Sequence, residues 1–249
     1  MHKLNQNEVN FFKQAGYIKL GWKFDEKFMD KILNLLNENL TNEIKPYKRD
    51  QSEHIIKMFD LFNRDKQFEK LYKSSLLIEP LKCLLGPNIE FLTNRHNHAS
   101  VIRSSNNEKR LHRDILHWSR PMVAVLIYPQ DSDVSNGCTE IIPSSQHLPF
   151  ISPRNSDLPK HAGTWLDEYK IYKGFENQAL PVFMKKGEIL IFDSLAFHTP
   201  GINSTDETRY AITAAYHAVD ELLPIECNKH RILVSGKRTY CGNQYNWEK

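Results

Sequence analysis

Cysteine is scarce in this 249-residue chain, and the few cysteines lie far apart. None of them forms the C-x-x-C pair that is typical of zinc knuckles and of thioredoxin-like redox sites. The four are Cys83, Cys138, Cys227 and Cys241. We therefore expect reduced thiols and no cysteine-based metal site.

The chain also lacks long apolar runs and a strong charge of one sign. No apolar segment approaches the roughly 20 residues that cross a bilayer, and the first ten residues have no apolar signal core. The formal charge is only +3, with lysine and arginine scattered among the acidic residues. These absences predict a cytoplasmic protein that binds neither membranes nor nucleic acid. We expect it to be a monomer or a homodimer.

Hydrophobic residues make up 40% of the chain, which is enough for the core of one domain. We expect a single domain over residues 1–249. Its parts would be a mostly helical segment at 1–87, a β-rich core at 88–220 and a C-terminal extension at 221–249.

Two long segments lack a clear periodicity. Residues 41–65 are rich in charge and carry Pro46, so we expect them to lie outside the packed layers. Residues 148–179 are interrupted by several prolines and glycines. Loops of that length inside compact domains are commonly lids or binding segments, which predicts such a role for residues 148–179.

The most informative stretch runs from Lys185 to Tyr216. Its pattern predicts a glycine turn, an apolar strand, a polar turn and a second strand. Two of its residues are unusual in such a setting. His198 can bind a metal as neutral imidazole, and Arg209 can hold a carboxylate through two parallel hydrogen bonds.

A second motif, H-x-D at residues 112–114, lies well upstream. In a strand, residues two apart point to the same face, so His112 and Asp114 would project together. With His198 they supply two imidazoles and one carboxylate, the facial triad typical of non-haem Fe(II) oxygenases. That ligand set leaves positions open for a chelating keto acid and for dioxygen.

Each of these residues also has an ordinary structural explanation. With 11 histidines and 30 acidic residues in the chain, an H-x-D motif arises readily by chance. A histidine such as His198 is more often a hydrogen-bonded core or loop residue, and an arginine such as Arg209 is usually a surface ion-pair partner. The hypothesis depends on their combination and order.

The order of the motifs resembles the phytanoyl-CoA dioxygenase family of Fe(II)- and 2-oxoglutarate-dependent oxygenases, which includes ectoine hydroxylase. The resemblance rests on H-x-D, the segment NGCTEIIPSSQH at 136–147, the run G-E-I-L-I-F-D, and His198 followed eleven residues later by Arg209. It extends to FFKQAGYIKL at 11–20 and to L-L-G-P at 84–87.

The resemblance implies both a fold and an activity. The fold is of the α+β class, mainly β: a double-stranded β-helix, the cupin-like jelly roll, with N-terminal helices buttressing the larger sheet. The metal ligands are His112, Asp114 and His198, and Arg209 pairs with the distal carboxylate of the cosubstrate. The cofactor is Fe(II), with 2-oxoglutarate and O2 as cosubstrates.

The implied reaction is hydroxylation of an unactivated C–H bond in a small polar or anionic metabolite, with release of succinate and CO2. Related halogenases replace the metal carboxylate by a small residue so that chloride can bind. Because Asp114 is present here, hydroxylation is preferred to chlorination.

The resemblance also suggests pocket residues. Residues 89–103 alternate as a strand would, which places Asn94, His96 and His98 on one face. In the family this strand lines the pocket, so we expect Asn94 to contact the cosubstrate, and His96 and His98 the substrate. The alternative is a polar face turned to solvent. Ectoine hydroxylase has a tryptophan four residues beyond its metal aspartate, which predicts a substrate contact for Trp118 against the alternative of simple packing.

One position departs from the family pattern. Many members carry a serine two residues after the distal histidine, where it helps to hold the carboxylate of the cosubstrate. This chain has Pro200 at that position. Arg209 would then act with a different helper, for which Tyr128 is a candidate.

Two other functions share parts of this pattern. A non-catalytic jelly-roll protein would sense a metal or a metabolite, and a hydrolase would hold zinc and a water on the same triad. Neither requires Arg209 opposite the metal. Within the oxygenase class, desaturation, epimerisation and cyclisation are alternatives to hydroxylation.

Overall fold

The computed structural model describes residues 2–104, 109–114, 122–149, 164–221 and 230–238. The α-helices are α1 (Gln6–Ala15), α2 (Glu26–Thr41), α3 (Leu61–Arg64), α4 (Lys66–Tyr72) and α5 (Ser75–Leu85). Short 3-10 helices cover Ser145–His147, Leu166–Glu168, Lys170–Tyr172 and Phe175–Gln178. None of the helices in the described ranges is long and apolar enough to cross a membrane.

The strands alternate with these helices in the first third of the chain and dominate the rest. They are β1 (Tyr17–Lys23), β2 (Tyr47–Arg49), β3 (Ile55–Phe59), β4 (Ile89–Leu92), β5 (His98–Ile102), β6 (Met122–Ile127), β7 (Thr139–Ile141), β8 (Leu180–Pro181), β9 (Glu188–Asp193), β10 (His198–Pro200), β11 (Arg209–Ala218) and β12 (Arg231–Ser235).

The N-terminal helix is capped at both ends. The side chain of Asn5 accepts hydrogen bonds from the backbone amides of Asn7 and Glu8, and the Glu8 carboxylate accepts one from the Asn5 amide. This capping box satisfies amides that would otherwise lack partners at the helix start. Gly16 ends the helix in the left-handed conformation, with φ of 81°, which leads the chain directly into β1.

A large antiparallel sheet forms the centre of the molecule. Its strand order is β1-β9-β6-β11-β5-β3-β2, and β4 joins β11 to β12. Val123, Val125 and Ile127 of β6 point to one face, where they pack with the helices. Ala124 and Leu126 point to the other face. Because both faces are covered, β6 is apolar throughout its length.

A smaller sheet, ordered β10-β7-β8, covers the second face of the large sheet. Ile141 of β7 packs with Leu126 and Phe192 of the large sheet, and these contacts hold the two sheets together. The two opposed antiparallel sheets form the jelly roll implied by the sequence resemblance, and that prediction is confirmed. A cavity lined by residues of both sheets lies between them.

The segment 41–65 does not lie outside the packed layers, so that prediction was wrong. It contains the β2–β3 hairpin, and β3 pairs with β5 at the edge of the large sheet. Met58 is 1% exposed and packs in the helix-facing core. The segment is rich in charge because its other face borders a polar cavity. Thus β1, β2 and β3 of the mostly helical segment 1–87 also belong to the large sheet.

A buried charged cluster joins β11, β4 and β12 at the far end of the sheet. Arg231 Nη2 lies 2.8 Å from the Glu90 carboxylate, and His217 Nε2 lies 3.7 Å from the same oxygen. Burial and, to a smaller extent, the charge of Arg231 lower the pKa of His217 to about 4, although the Ala218 carbonyl and Glu221 oppose the shift. The imidazole is therefore neutral in the folded protein at physiological pH.

This cluster predicts acid sensitivity. A histidine with a lowered folded pKa stabilises the protein fully above its ordinary pKa of 6.5 and loses that contribution as the pH falls towards about 4. Between pH 7.5 and 5, His217 should account for a loss of about 2 kcal/mol in the free energy of unfolding. Urea unfolding at both pH values should show this loss shrinking in His217→Gln but not in the control His54→Gln, whose side chain is exposed. An equal loss in His217→Gln and the parent would contradict the assignment.

Candidate active site

A cavity of about 980 Å³ opens between the two sheets. Its floor comes from the inner face of the large sheet, and one wall comes from β10 and the H-x-D segment. Its lining side chains from the described ranges include Lys48, Lys57, His96, His98, Ser100, His112, Asp114, Leu126, Thr139, Trp165, Phe192, His198, Pro200, Arg209, Ala211 and Thr213.

The backbone brings the three candidate metal ligands together. The amide of His112 donates to the carbonyl of His198, and the amide of His198 donates to the carbonyl of His112, each at 3.0 Å. The Asp114 amide donates to the Ser194 carbonyl at 2.9 Å. The H-x-D segment is thus an isolated antiparallel bridge to β10, where the sequence suggested a regular strand. Ligand atoms of His112, Asp114 and His198 all lie within 4.8 Å of one another.

Hydrogen bonds to the backbone orient both imidazoles. His198 Nδ1 lies 3.0 Å from the Ala196 carbonyl oxygen, and His112 Nδ1 lies 3.4 Å from that of Arg110. A carbonyl only accepts, so each Nδ1 carries the proton and each Nε2 keeps a free lone pair. The two Nε2 atoms lie 3.7 and 3.8 Å from the same oxygen, Asp114 Oδ1. These separations are too long for hydrogen bonds between the groups and suit side chains arranged around an ion.

The protonation states also suit a divalent metal. Burial would raise the pKa of Asp114, but His96, His198, His112 and Lys57 outweigh that effect and lower it to about 2. Burial lowers the pKa of His112 to about 4. Asp114 is therefore ionised and His112 neutral at physiological pH. The buried Asp114 Oδ2 has no hydrogen-bond partner in the described part of the chain, so the carboxylate retains an acceptor that a metal would use.

Arg209 enters the cavity from the start of β11. Its guanidinium is buried, donates to the backbone carbonyls of Asn136 and Gly137, and lies 5.7 Å from the ring centre of Tyr128. Burial lowers the pKa of Arg209, and no carboxylate of the described ranges contributes to offsetting this shift. A buried guanidinium that contacts only carbonyls and a ring has unused capacity to bind an anion.

The hydroxyl that the sequence lacks at position 200 is present on the neighbouring strand. Pro200 of β10 stands directly opposite Thr139 of β7. Thr139 is 4% exposed and lines the cavity, and its Oγ1 lies 2.6 Å from the hydroxyl of Tyr128. Thr139 and Tyr128 thus form a pair of hydroxyls beside Arg209. The sequence suggested Tyr128 alone, because the pairing of Thr139 with Pro200 depends on the strand register.

The strand predicted over residues 89–103 is interrupted. Its two halves are β4 and β5, and residues 93–97 form a turn between them. Asn94 is exposed in this turn and does not line the cavity, whereas His96 and His98 do. His96 has a left-handed backbone, with φ of 50°, and its Nε2 lies 3.4 Å from Asp114 Oδ1. His96 therefore lies beside a candidate metal ligand, and its contact with the substrate stays a prediction.

Two further residues of the cavity carried no signal in the sequence. Lys57 of β3 and Trp165 both line it. Trp165 bridges to the His112 backbone, and their rings lie 5.2 Å apart. The guanidinium of Arg110 covers the indole at 4.2 Å. Trp118, predicted to contact the substrate, lies outside the described residues.

Comparisons with known proteins agree with this geometry. The profile of the phytanoyl-CoA dioxygenase (PhyH) family matches residues 12–211. Curated protein sequences give no match.

Several solved structures share the fold. The epimerase SnoN, in complex with Fe3+, alpha ketoglutarate and nogalamycin RO, is 16% identical, with a TM-score of 0.69 over 87% of this chain and 84% of its own. The non-heme alpha ketoglutarate-dependent carbocyclase SnoK from nogalamycin biosynthesis is 16% identical, with a TM-score of 0.70 over 88% and 86%. EctD from S. alaskensis, in its apo form, is 15% identical, with a TM-score of 0.70 over 96% and 86%. At these identities the likeness establishes the fold.

The geometry predicts which substitutions abolish metal binding. Replacing a ligand, as in Asp114→Asn or His198→Ala, should weaken Mn2+ binding by more than the roughly 10- to 100-fold that loss of an outer partner costs. His96→Gln, which changes a neighbour of Asp114, should fall within that range. Calorimetric titration of metal-free protein would measure each affinity, with the exposed His54→Ala as control. Unchanged Mn2+ affinity in Asp114→Asn would contradict the assignment.

Proposed function

Since the chain belongs to the phytanoyl-CoA dioxygenase family and is an iron- and 2-oxoglutarate-dependent oxygenase, we propose that it hydroxylates an unactivated C–H bond of a small polar or anionic metabolite. His112, Asp114 and His198 would bind Fe(II), and Arg209 would bind the distal carboxylate of 2-oxoglutarate. The proposal takes residues 1–249 to be one catalytic domain, acting in the cytoplasm as a monomer or homodimer.

The observation that carries the proposal is the placement of two complementary sites in one cavity. On one side, two imidazole nitrogens and a carboxylate converge within 4.8 Å of one another. On the other side lies the buried guanidinium of Arg209, which has no carboxylate partner among the described residues. A dicarboxylate with a keto group next to one carboxylate matches both sites. The keto group and its neighbouring carboxylate suit the metal, and the distal carboxylate suits Arg209. A metal hydrolase or a simple metal sensor has no use for Arg209 there.

The bound iron, 2-oxoglutarate and O2 would supply the oxidant for the C–H bond, while 2-oxoglutarate is converted to succinate and CO2. The chain would supply position and environment. Arg209 offers a planar fork of donors, which holds a carboxylate in one orientation, whereas lysine offers only a point charge. Thr139 and Tyr128 would add a hydroxyl donor to the same carboxylate, in place of the serine that many family members carry.

The inner walls near the metal site are apolar. Phe192 packs against the His198 ring at 4.4 Å between ring centres, and Leu126 and Ala211 line the cavity beside it. These side chains would limit access of water and of adventitious reductants to the reacting centre. Asp114 fills the position that a halide would need, which supports hydroxylation over chlorination.

The radical chemistry of this class has other outcomes. SnoN is described as an epimerase and SnoK as a carbocyclase, and both share the fold. Desaturation, epimerisation and cyclisation are therefore the alternatives to hydroxylation for this chain. The mass of the product separates them: hydroxylation adds one oxygen atom, epimerisation leaves the mass unchanged, and desaturation or ring closure removes two hydrogens.

The cosubstrate site predicts a spectroscopic result. Anaerobic addition of Fe(II) and 2-oxoglutarate to the metal-free protein should give the weak visible charge-transfer band of a chelated keto acid. Arg209→Ala should weaken 2-oxoglutarate binding by about 100-fold, because it removes charge-assisted hydrogen bonds, and Arg209→Lys by about 10-fold. His198→Ala should abolish the band.

Two results would separate this proposal from its rivals. Stoichiometric metal binding without a band in the parent would reject the keto-acid site and favour a sensor or a hydrolase. If the band is equally strong in Arg209→Ala at low 2-oxoglutarate, the metal site stands, but Arg209 does not bind the cosubstrate.

The hydroxyl pair beside Arg209 predicts a second, smaller effect. Thr139→Val should weaken 2-oxoglutarate binding by roughly 3- to 10-fold, the value of one hydrogen bond, while Thr139→Ser should bind normally. Adding Pro200→Ser to Thr139→Val should recover affinity, because positions 139 and 200 face each other across the sheet. Titration of the visible band measures all four proteins. Equal affinity in Thr139→Val and Thr139→Ser would exclude the hydroxyl from the site.

A further inference from the structure

Lys57 is a half-buried cation in the cavity. It lies in the middle of β3, opposite Ser100 of β5 on one side and Lys48 of β2 on the other. Successive residues of a strand point to opposite faces. Met58 accordingly points into the helix-facing core, and Lys57 points into the cavity with Ser100.

No carboxylate in the described ranges forms an ion pair with Lys57. Burial lowers the pKa of this lysine, the charge of Asp114 opposes the shift, and Lys48 adds to it. Asp114 is itself a candidate metal ligand, so its charge would be shared with the metal. Like charges directly opposite on neighbouring strands are unfavourable unless an anion lies close by. Lys57 and Lys48 therefore form a cationic pair that a nearby anion would stabilise.

The acidic residues of the same hairpin region have other partners. Glu43 and Glu53 both contact Arg49. The Asp50 carboxylate accepts hydrogen bonds from the backbone amides of Ser52 and His54.

The formal charges of the proposed cosubstrate complex balance one another and leave the positive charge of Lys57 uncompensated. A divalent metal, the Asp114 carboxylate and the Arg209 guanidinium together carry two positive charges, and 2-oxoglutarate carries two negative charges. That complex is neutral without Lys57. Burial lowers the pKa of His98 well below its ordinary value, so this neighbour adds no positive charge and is a neutral hydrogen-bonding group. Among the described residues, no further anion compensates the charge of Lys57.

The sheet register separates Lys57 from Arg209. Lys57 is level with Ser100, and Ser100 is level with Ala211 of β11, two residues beyond Arg209. With two strand spacings across and two residues along, their Cα atoms are ~12 Å apart. Lys57 thus lines a part of the cavity away from Arg209, next to the exposed Lys48.

From this placement we propose that the substrate of the oxygenase carries a carboxylate, phosphate or phosphonate group, and that Lys57 binds this group with Lys48 and Ser100 beside it. The inference rests on the proposed function and deepens it by naming the chemical class of the substrate. Lys57 acts in this view as a determinant of specificity: it holds the anion at one end of the cavity so that the rest of the molecule extends towards the metal ligands.

The test uses small anions as probes of the substrate site. Methylphosphonate and acetate are titrated by calorimetry, without oxygen, into the protein loaded with Fe(II) and 2-oxoglutarate. Lys57→Gln should weaken binding of the better probe by about 10- to 100-fold, the value of a charge-assisted contact, and Lys57→Arg by much less. Lys48→Gln, at an exposed position, should weaken it by a smaller factor and tests the site even if Lys57→Gln folds poorly. The relative affinity of the two probes distinguishes a phosphonate-type group from a carboxylate.

The matched control is Lys31→Gln, an exposed position on α2, which packs on the opposite face of the large sheet. It should leave probe binding unchanged. In every variant, 2-oxoglutarate affinity, read from the visible band, should stay within about twofold of the parent.

Three outcomes would overturn the inference. If neither probe binds a parent protein that shows the keto-acid band, the anion site is wrong while the proposed function stands. If Lys57→Gln weakens 2-oxoglutarate as strongly as the probe, Lys57 belongs to the cosubstrate site. If the parent gives no band at all, the proposed function fails, and this inference fails with it.

Discussion

The candidate active site depends on one pair of backbone hydrogen bonds, those that join His112 to His198 in both directions at 3.0 Å. They bring together residues that are 86 positions apart in the sequence. The Asp114 amide continues the same bridge to Ser194. Because the main chain makes these bonds, the arrangement of the three ligands does not depend on contacts among their side chains. The fold can therefore hold two lone pairs and a carboxylate around one point before any ion binds.

Electrostatics follows from that arrangement. The imidazoles and Lys57 keep the pKa of Asp114 low despite its burial, so the carboxylate is charged in the metal-free protein. Burial keeps His112 neutral. Asp114 and His112 are thus already in the protonation states in which they bind a metal. Arg209 and Lys57 lie elsewhere in the same cavity, and neither forms an ion pair with a carboxylate of the described residues.

Local sequence patterns predicted what local structure determines. The two strands predicted in residues 185–216 are β9 and β11, and the motif order identified the family and the jelly roll. The errors lie where long-range pairing decides. The charge-rich segment 41–65 looks like a loop because half of its hairpin faces a polar cavity. The alternation over 89–103 looked continuous, but the left-handed His96 turns the chain and moves Asn94 away from the cavity.

Cross-strand register explains why the remaining cavity residues had no signal. Thr139 stands opposite Pro200, and Lys57 is level with Ser100 and Ala211, yet each pair lies dozens of residues apart in the chain. On a shared sheet face, either of two neighbouring strands can supply a hydroxyl or a cation at the same point in space. A comparison limited to the position two residues after the distal histidine finds proline and suggests that the carboxylate-binding hydroxyl is lost. The sheet shows that the hydroxyl is one strand away, beside the arginine that would use it.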